Sequence, residues 1–158
     1  MIDEPWYPSI GKQGPNDAPH PGERMKIIKL AEHIAVSEQL TREDIPAIVA
    51  AGYQVVINNR PDNEVEGQPS SAEIEAAAVA AALDYYHFPV TARDFPGPYA
   101  EQMAQLFHDE TKPVLAFCRT GTRCTNLWIA TASAEQREQA RQQGAALGFD
   151  LAMSESVR

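Results

Sequence analysis

The chain lacks the features that would mark a secreted, membrane-spanning or exported protein. Its two cysteines are too few for the disulfide framework of a small secreted domain. Its most apolar window, residues 74–83, is mostly alanine and has about half the length that a membrane span requires. The N-terminus has no basic segment followed by an apolar one, so we expect no signal peptide. These absences predict a cytoplasmic protein with reduced thiols and no membrane partner.

Positive charge is also scarce, since the net charge is −9. A surface of this sign repels a phosphate backbone, which speaks against a nucleic-acid partner. Any local cluster of arginines is therefore informative. The sequence leaves the oligomeric state open.

The chain divides into two regions by composition. Residues 1–24 contain five prolines and no apolar periodicity, and they predict an irregular Pro/Gly-rich N-terminal arm. This arm is either a disordered leader or a segment whose Trp6 and Tyr7 dock on the domain or on a second subunit. Residues 25–158 are long enough for one domain with a real core, and we see no internal repeat in them.

Short apolar runs alternate with helical patterns after residue 25. The strands are predicted near residues 27–30, 33–37, 53–57, 85–90 and 114–117. The helices begin after Thr41, Ser70 and Ser133, each with a capping partner three residues on, and also near Tyr99 and Cys124. This order predicts an α/β fold with a central, mostly parallel sheet flanked by helices on both faces.

The strand at residues 114–117 leads into the segment with the most chemical information, Cys118-Arg-Thr-Gly-Thr-Arg123. A thiol that enters a glycine-containing turn before a helix faces unpaired amide groups and the helix dipole, which stabilise a thiolate and bind anions. Cys118 is the predicted nucleophile, with a buried structural cysteine as the alternative. Arg123 could clamp an oxyanion, or pair with a carboxylate as an ordinary helix residue. We expect the anion-binding loop to comprise Arg119, Thr120, Gly121, Thr122 and Arg123.

Two other loops should reach the same end of the sheet, because parallel strands present their carboxyl ends together. They are residues 58–62 and 91–94, and each contains an arginine and an aspartate. Asp94 could protonate a leaving oxygen, or could be a capping or solvated aspartate. Asp62 is the competing acid, and Arg60 could bind substrate charge or pair with an aspartate. Cys124 could resolve an oxidised Cys118 or be a small buried residue.

Four segments together resemble the bacterial beta-lactamase-hydrolase-like, protein-phosphatase-like family. They are Val56-Ile-Asn-Asn-Arg-Pro-Asp62, Gln68-Pro-Ser-Ser-Ala-Glu73, Tyr86-His-Phe-Pro-Val-Thr91 and the Cys118–Arg123 loop. The resemblance implies a protein-tyrosine-phosphatase-like fold. It also implies that Cys118 attacks phosphorus to give a phosphocysteine, while Arg123 and the loop amides hold the phosphoryl oxygens and Asp94 acts as the acid.

The loop departs from the tyrosine-phosphatase pattern by one residue. That pattern places five residues between cysteine and arginine, whereas four separate Cys118 from Arg123 here. The string Cys-Arg-x-Gly-x-Arg resembles instead the active loop of rhodanese-type sulfurtransferases, which would place a persulfide on Cys118. Three hypotheses follow: a cysteine-dependent phosphatase, a sulfurtransferase using thiosulfate or a persulfide, and a noncatalytic oxyanion-binding module. All three hypotheses require a small anionic substrate or ligand and no cofactor. No histidine, cysteine or aspartate residues have the spacing of metal ligands, so we expect no metal.

Overall fold

The computed structural model describes residues 26–157, and the predicted arm over residues 1–24 lies outside them. Within this range the chain forms one five-stranded sheet. Its strands are β1 (Ile27–Ala31), β2 (Ile34–Ser37), β3 (Val55–Asn58), β4 (Asp84–His87) and β5 (Val114–Phe117).

The strand order across the sheet is β1-β2-β5-β3-β4. β1 and β2 form an antiparallel hairpin, while β2, β5, β3 and β4 run parallel to one another. β5 is therefore the central strand, paired with β2 on one side and with β3 on the other. Its last residue, Phe117, aligns with Ser37 of β2 and with Asn58 of β3. The residue that follows β5 thus emerges in the middle of the carboxyl edge of the parallel strands.

Five α-helices connect or follow these strands. They are α1 (Ile45–Ala50), α2 (Ser71–Ala80), α3 (Ala100–Phe107), α4 (Thr122–Ala130) and α5 (Ala134–Ala146). A 3₁₀ turn over Arg42–Asp44 precedes α1, and two more lie at Ala92–Asp94 and Ala152–Ser156.

The predicted helix caps are present. Thr41 and Asp44 form a reciprocal capping box, in which the Thr41 amide donates to Asp44 at 2.8 Å. The hydroxyl of Ser70 accepts from the Glu73 amide at 3.1 Å, and that of Ser133 accepts from the Gln136 amide at 3.3 Å. Each bond satisfies an amide that the first turn of a helix leaves unpaired.

Both faces of the sheet are covered by helices, as the sequence predicts. One face packs against α3, α4 and α5 through residues such as Val36, Ile57 and Leu127. The opposite face packs against α1 and α2 through residues such as Val56, Ile48 and Ile74. The four parallel-sheet strands that carry this core are short, and β2, β3 and β5 are buried over their whole length. Burial on both faces explains why these strands read as continuous apolar runs.

No helix within residues 26–157 is long and apolar enough to cross a membrane.

Candidate active site

Cys118 lies directly after the central strand β5, at the base of the loop that leads into α4. It is 1 % exposed. The amide of Gly121 donates a hydrogen bond to its sulfur at 3.1 Å. The amides of Thr120 and Cys124 also act to lower the pKa of this thiol. Backbone N–H groups of the loop that face one atom in this way stabilise an anion.

The thiol of Cys124 also lowers the pKa of Cys118. A hydrogen bond from this thiol is the largest influence lowering the pKa of Cys118, and with the loop amides it overcomes burial to bring the pKa to about 6. Burial chiefly, and then the neighbouring sulfur of Cys118, raise the pKa of Cys124 well above its ordinary value. At neutral pH the pair therefore consists of a Cys118 thiolate and a protonated Cys124.

The loop owes its shape to Gly121, which is the N-cap of α4 and has a φ of 93°. Left-handed backbone of this kind strongly favours glycine. The carbonyl of Gly121 accepts from the amide of Thr125 at 3.1 Å and from its hydroxyl at 2.9 Å. The hydroxyl of Thr120 accepts from the Thr122 amide at 3.4 Å. Arg119 and Thr120 are exposed, so an anion can approach the loop from their side.

Arg123 joins the three loops that the sequence places at this edge of the sheet. Its Nη1 donates to the carbonyl of Asn59 at 3.3 Å and to that of Val90 at 3.0 Å. Its Nη2 donates to Oε1 of Glu64 at 3.2 Å. Asn59 and Val90 follow β3 and β4, so the guanidinium bridges the segments after two strands from the start of α4.

Glu64 is a component of the site that the sequence did not single out. Its carboxylate lies between two arginines, with Oε1 2.9 Å from Nε of Arg60 and Oε2 3.1 Å from Nη2 of Arg123. Burial raises its pKa, but the hydrogen bonds from Arg123 and Arg60 outweigh burial and leave the pKa below its ordinary value. The chain has 22 acidic residues, and nothing in local sequence marks this one as the partner of Arg123.

Arg60 is buried, with 3 % of its surface exposed. Besides Glu64 it contacts Gln39, whose side-chain oxygen accepts from Nη1 at 2.9 Å. Its own amide donates to the Asn58 side chain at 2.8 Å, and its carbonyl accepts from His87 at 2.8 Å when that ring nitrogen carries the proton. Arg60 therefore links the segment after β3 to β4 and to the loop after β2.

Asn59 is fully buried beside this network. Its backbone amide donates to the carbonyl of Phe117 at 2.9 Å, which extends the pairing of β3 with β5 up to the residue before Cys118. Its side-chain amide donates to the carbonyl of Phe88 at 3.0 Å, while its Oδ1 has no hydrogen-bond partner among residues 26–157.

The two candidate acids have different surroundings. Asp62 accepts a hydrogen bond from the Ser71 amide at 2.7 Å, so it caps the first turn of α2. Asp94 ends the 3₁₀ turn at Ala92–Asp94 and is exposed. No hydrogen bond or ion pair engages its carboxylate within the described part of the chain. Asp62 is thus committed to a helix terminus, whereas Asp94 is free to meet a ligand.

One cavity among the described residues lies away from this site. It has a volume of about 500 Å³ and is lined by His33, His108 and Trp128, among others. His33 precedes β2, so the cavity is at the amino edge of the parallel strands, opposite Cys118. Burial lowers the pKa of His108, which favours its neutral form. Across residues 26–157, no three His, Cys, Asp or Glu side chains are grouped so that they could hold a metal ion.

Comparison with known proteins gives a consistent assignment. Residues 26–135 match the family described as beta-lactamase hydrolase-like protein, phosphatase-like domain. A beta-lactamase hydrolase-like protein of Agrobacterium fabrum is 32% identical over 130 residues, which are 80% of this chain and 30% of that protein. The chain thus matches less than a third of its relative's length.

Solved structures agree with this. A candidate phosphatase from Neisseria meningitidis shares 38% identity with a TM-score of 0.67, covering 83% of this chain and 95% of that one. The kinase associated phosphatase, at 10% identity, has a TM-score of 0.56 over 82% of this chain and 85% of its own, which shows the fold alone. The fold is protein-tyrosine-phosphatase-like, and the chain belongs to the phosphatase-like domain family of beta-lactamase hydrolase-like proteins.

Proposed function

We propose that this domain is a cysteine-dependent phosphatase-like hydrolase that acts on a small phosphate ester through a phosphocysteine on Cys118. The observation that carries the proposal is the hydrogen bond of 3.1 Å from the Gly121 amide to the Cys118 sulfur, whose pKa is lowered to about 6. A thiolate at neutral pH is a ready nucleophile, and the loop amides can donate to phosphoryl oxygens. Membership in a phosphatase-like family supports the same reaction class.

The proposed reaction has two steps. Cys118 attacks phosphorus, so that a sulfur–phosphorus bond forms while the bond from phosphorus to the leaving oxygen breaks, and Asp94 gives its proton to that oxygen. Water then attacks phosphorus, Asp94 takes a proton from this water, and the thiolate leaves with the sulfur–phosphorus electron pair. Asp94 suits this role because its carboxylate is exposed in a loop that adjoins Val90, a partner of Arg123.

Two arginines would supply the positive charge that binds the phosphoryl group. Arg119 is exposed in the loop, and no carboxylate of residues 26–157 lies within ion-pair distance of it. Arg123 is already bound to Glu64, so a phosphoryl group must share this arginine or replace the carboxylate. The remaining partners of Arg123, two backbone carbonyls, would keep its guanidinium at the site during such an exchange.

A second candidate is sulfurtransfer, and the engagement of Arg123 with Glu64 favours it. Here the Cys118 thiolate attacks the outer sulfur of thiosulfate, a sulfur–sulfur bond forms, and sulfite leaves with the electrons of the bond that breaks. An acceptor thiolate then attacks the outer sulfur of the persulfide and releases Cys118. This chemistry needs neither a general acid nor an arginine clamp on phosphorus, and a loop with four residues between Cys118 and Arg123 offers enough amides for it.

One pair of measurements separates the two reactions. The protein is assayed with an aryl phosphate at mildly acidic pH, and separately exposed to thiosulfate and examined by intact mass spectrometry. Hydrolysis of the ester that is lost in Cys118→Ser supports the phosphatase. A mass gain of one sulfur on Cys118, without ester hydrolysis, overturns it in favour of sulfurtransfer. If neither reaction is detected and the Cys118→Ser variant still binds phosphate, the result supports the noncatalytic oxyanion-binding module.

A further inference from the structure

We propose that the cavity at the amino edge of the parallel strands is a second binding site, and that its ligand is a small organic amine, bound as a cation with an apolar or aromatic body. The cavity has a volume of about 500 Å³, which is within the range of small-molecule sites. It lies at the opposite edge of the sheet from Cys118, so the site does not depend on either reaction proposed above.

The floor of the cavity is apolar and aromatic. Leu30 and Trp128 are 2 % and 7 % exposed, and the buried Ala132 and Ala140 also line the cavity. Leu30 belongs to β1, Trp128 to α4 and Ala140 to α5, and all three are part of one core cluster. The walls are therefore fixed by packed elements. An indole among them attracts an organic cation as well as apolar surface.

The rim of the cavity carries negative charge. Glu110 is exposed there, and its carboxylate forms no ion pair within residues 26–157. None of the residues that line the cavity is a lysine or an arginine. Four exposed glutamines, whose carboxamides both donate and accept, complete the rim at Gln136, Gln139, Gln142 and Gln143. This rim attracts a cation and repels the anions that suit the Cys118 loop.

Two histidines add hydrogen-bond acceptors to the cavity. Nε2 of His33 lies 3.0 Å from the carbonyl of Phe107, which only accepts, so Nε2 holds the proton. Nε2 of His108 lies 3.1 Å from the hydroxyl of Thr131, which gives its own proton to the Leu127 carbonyl at 2.7 Å. Nε2 of His108 is therefore also the donor. Burial chiefly lowers the pKa of His108 and favours the neutral ring. In neutral rings with these tautomers, both Nδ1 atoms only accept.

The floor, the rim and the histidines together select one class of ligand. The carboxylate of Glu110 and the Nδ1 atoms require hydrogen-bond donors, and the carboxylate requires positive charge. An ammonium group supplies both, while an apolar or aromatic body covers Leu30 and Trp128. An anion meets a carboxylate with no lining lysine or arginine to offset it, and an uncharged apolar molecule would desolvate Glu110 without pairing it.

The test titrates the isotope-labelled full chain with phenethylamine and, separately, with phenylacetate, and follows the backbone amides by NMR. The two probes share a ring and a size but have opposite charge. We expect phenethylamine to shift amides of the lining residues saturably, with a dissociation constant of about 1 mM as suits a small fragment. Phenylacetate should bind about tenfold more weakly or worse. Equal affinity for both probes, or no saturable shift at these residues, would overturn the proposal.

Two exposed positions on the rim test the role of charge. Glu110→Gln should weaken phenethylamine binding about threefold, as for other exposed ion pairs. Gln139→Lys puts a cation on the rim and should reverse the preference, so that phenylacetate becomes the tighter ligand. Glu75→Gln is the matched control, since Glu75 is exposed on α2 at the opposite face of the sheet. Thermal melts check that each variant is folded, and unchanged affinities in both rim variants would overturn the proposal.

Further controls separate this site from the proposed function. Saturating inorganic phosphate and the substitution Cys118→Ser should both leave the affinity for phenethylamine unchanged. Competition by phosphate would place the amine at the Cys118 loop and overturn the second site. Amine binding that appears only in Trp6→Ala would assign the cavity to the N-terminal arm, with the same consequence. Intact amine binding in a protein with neither enzymatic activity would contradict only the proposed function.

Discussion

Arg123 places its Nη2 atom 3.1 Å from Oε2 of Glu64, so the arginine of the Cys118 loop is held by a carboxylate from a different loop. The same carboxylate binds Arg60 at 2.9 Å. Two guanidinium groups share one anion, so this cluster keeps a net positive charge at the carboxyl edge of the parallel strands. An incoming oxyanion therefore meets an arginine whose present partner has the same charge as the ligand.

Substitution of Glu64→Gln should strengthen the binding of inorganic phosphate. The amide oxygen can still accept from an arginine but no longer competes as a charge, so we expect the inhibition or dissociation constant for phosphate to fall about tenfold, equivalent to ~1.4 kcal/mol. Isothermal titration at fixed ionic strength measures this. Glu66→Gln is a matched control, because Glu66 is exposed and forms no ion pair within residues 26–157. Weaker phosphate binding in Glu64→Gln would mean that the carboxylate positions Arg123 for the anion.

The reactivity of Cys118 should depend on pH with a midpoint near 6, the value to which its pKa is lowered. Above this pH the thiolate predominates and alkylation by iodoacetamide is fast, and below it protonation slows the reaction. Cys124→Ala removes the largest lowering influence and should move the midpoint upward. Cys124→Ser retains a donor and should move it less. The pH profile of the alkylation rate checks both, and an unchanged midpoint in Cys124→Ala would show that the amides alone stabilise the thiolate.

Asp94→Asn distinguishes acid catalysis from sulfur transfer. If Asp94 protonates the leaving oxygen, the Asp94→Asn variant has no acidic proton to give and should turn over the ester about 10²–10⁴-fold more slowly. Transfer of sulfur from thiosulfate should be unaffected. Measuring kcat for esters with progressively better leaving groups adds a second test. A good leaving group needs less protonation, so kcat for its ester should fall less in Asp94→Asn. An equal loss of kcat for every ester in the series would mean that Asp94 has only a structural role.

Asp62 should prove to be a helix cap and not an acid. Asp62→Ala removes the acceptor for the Ser71 amide and should cost about 1 kcal/mol of the free energy of unfolding. For a domain of this size that lowers Tm by about 2–4 °C. Asp62→Asn keeps an acceptor oxygen, so it should retain most of this stability. If ester turnover instead collapses in the well-folded asparagine variant, Asp62 is the general acid.

Gly121→Ala should damage the anion loop through backbone strain. Its φ of 93° is disfavoured for alanine, at a cost of about 1–2 kcal/mol. Relaxing that strain turns the Gly121 amide away from the sulfur, so the alkylation midpoint of Cys118 should rise. Gly52→Ala is the matched control, since Gly52 has a φ of 95° in open space after α1. It should lose similar stability and leave the Cys118 midpoint unchanged. If the alkylation midpoint of Cys118 is the same in Gly121→Ala and Gly52→Ala, the Gly121 amide contributes little to stabilising the thiolate.

Local sequence determined the elements well, because their signals are local. The capping pairs at Thr41, Ser70 and Ser133 mark helix starts that the structure confirms, and the apolar run before Cys118 is strand β5. Boundaries were less accurate. The strand predicted over residues 85–90 ends at His87. The Phe88 amide still donates to Asn58 in the register of the β3–β4 ladder, but the Val90 amide donates to Asn59, one residue out of that register. A register change against a distant strand leaves no trace in a short window of sequence.

The sequence by itself placed a thiol, a left-handed glycine and two arginines in one loop, and the alternation of strands and helices put that loop at the carboxyl edge of a parallel sheet. The partners of those groups depended on the tertiary structure. Glu64 reaches Arg123 from 59 residues away, and the same guanidinium donates to the carbonyls of Asn59 and Val90, which follow two other strands. Backbone preference is local and can be predicted from sequence, whereas the pairing of charged groups depends on distances in space that only packing of the whole domain sets.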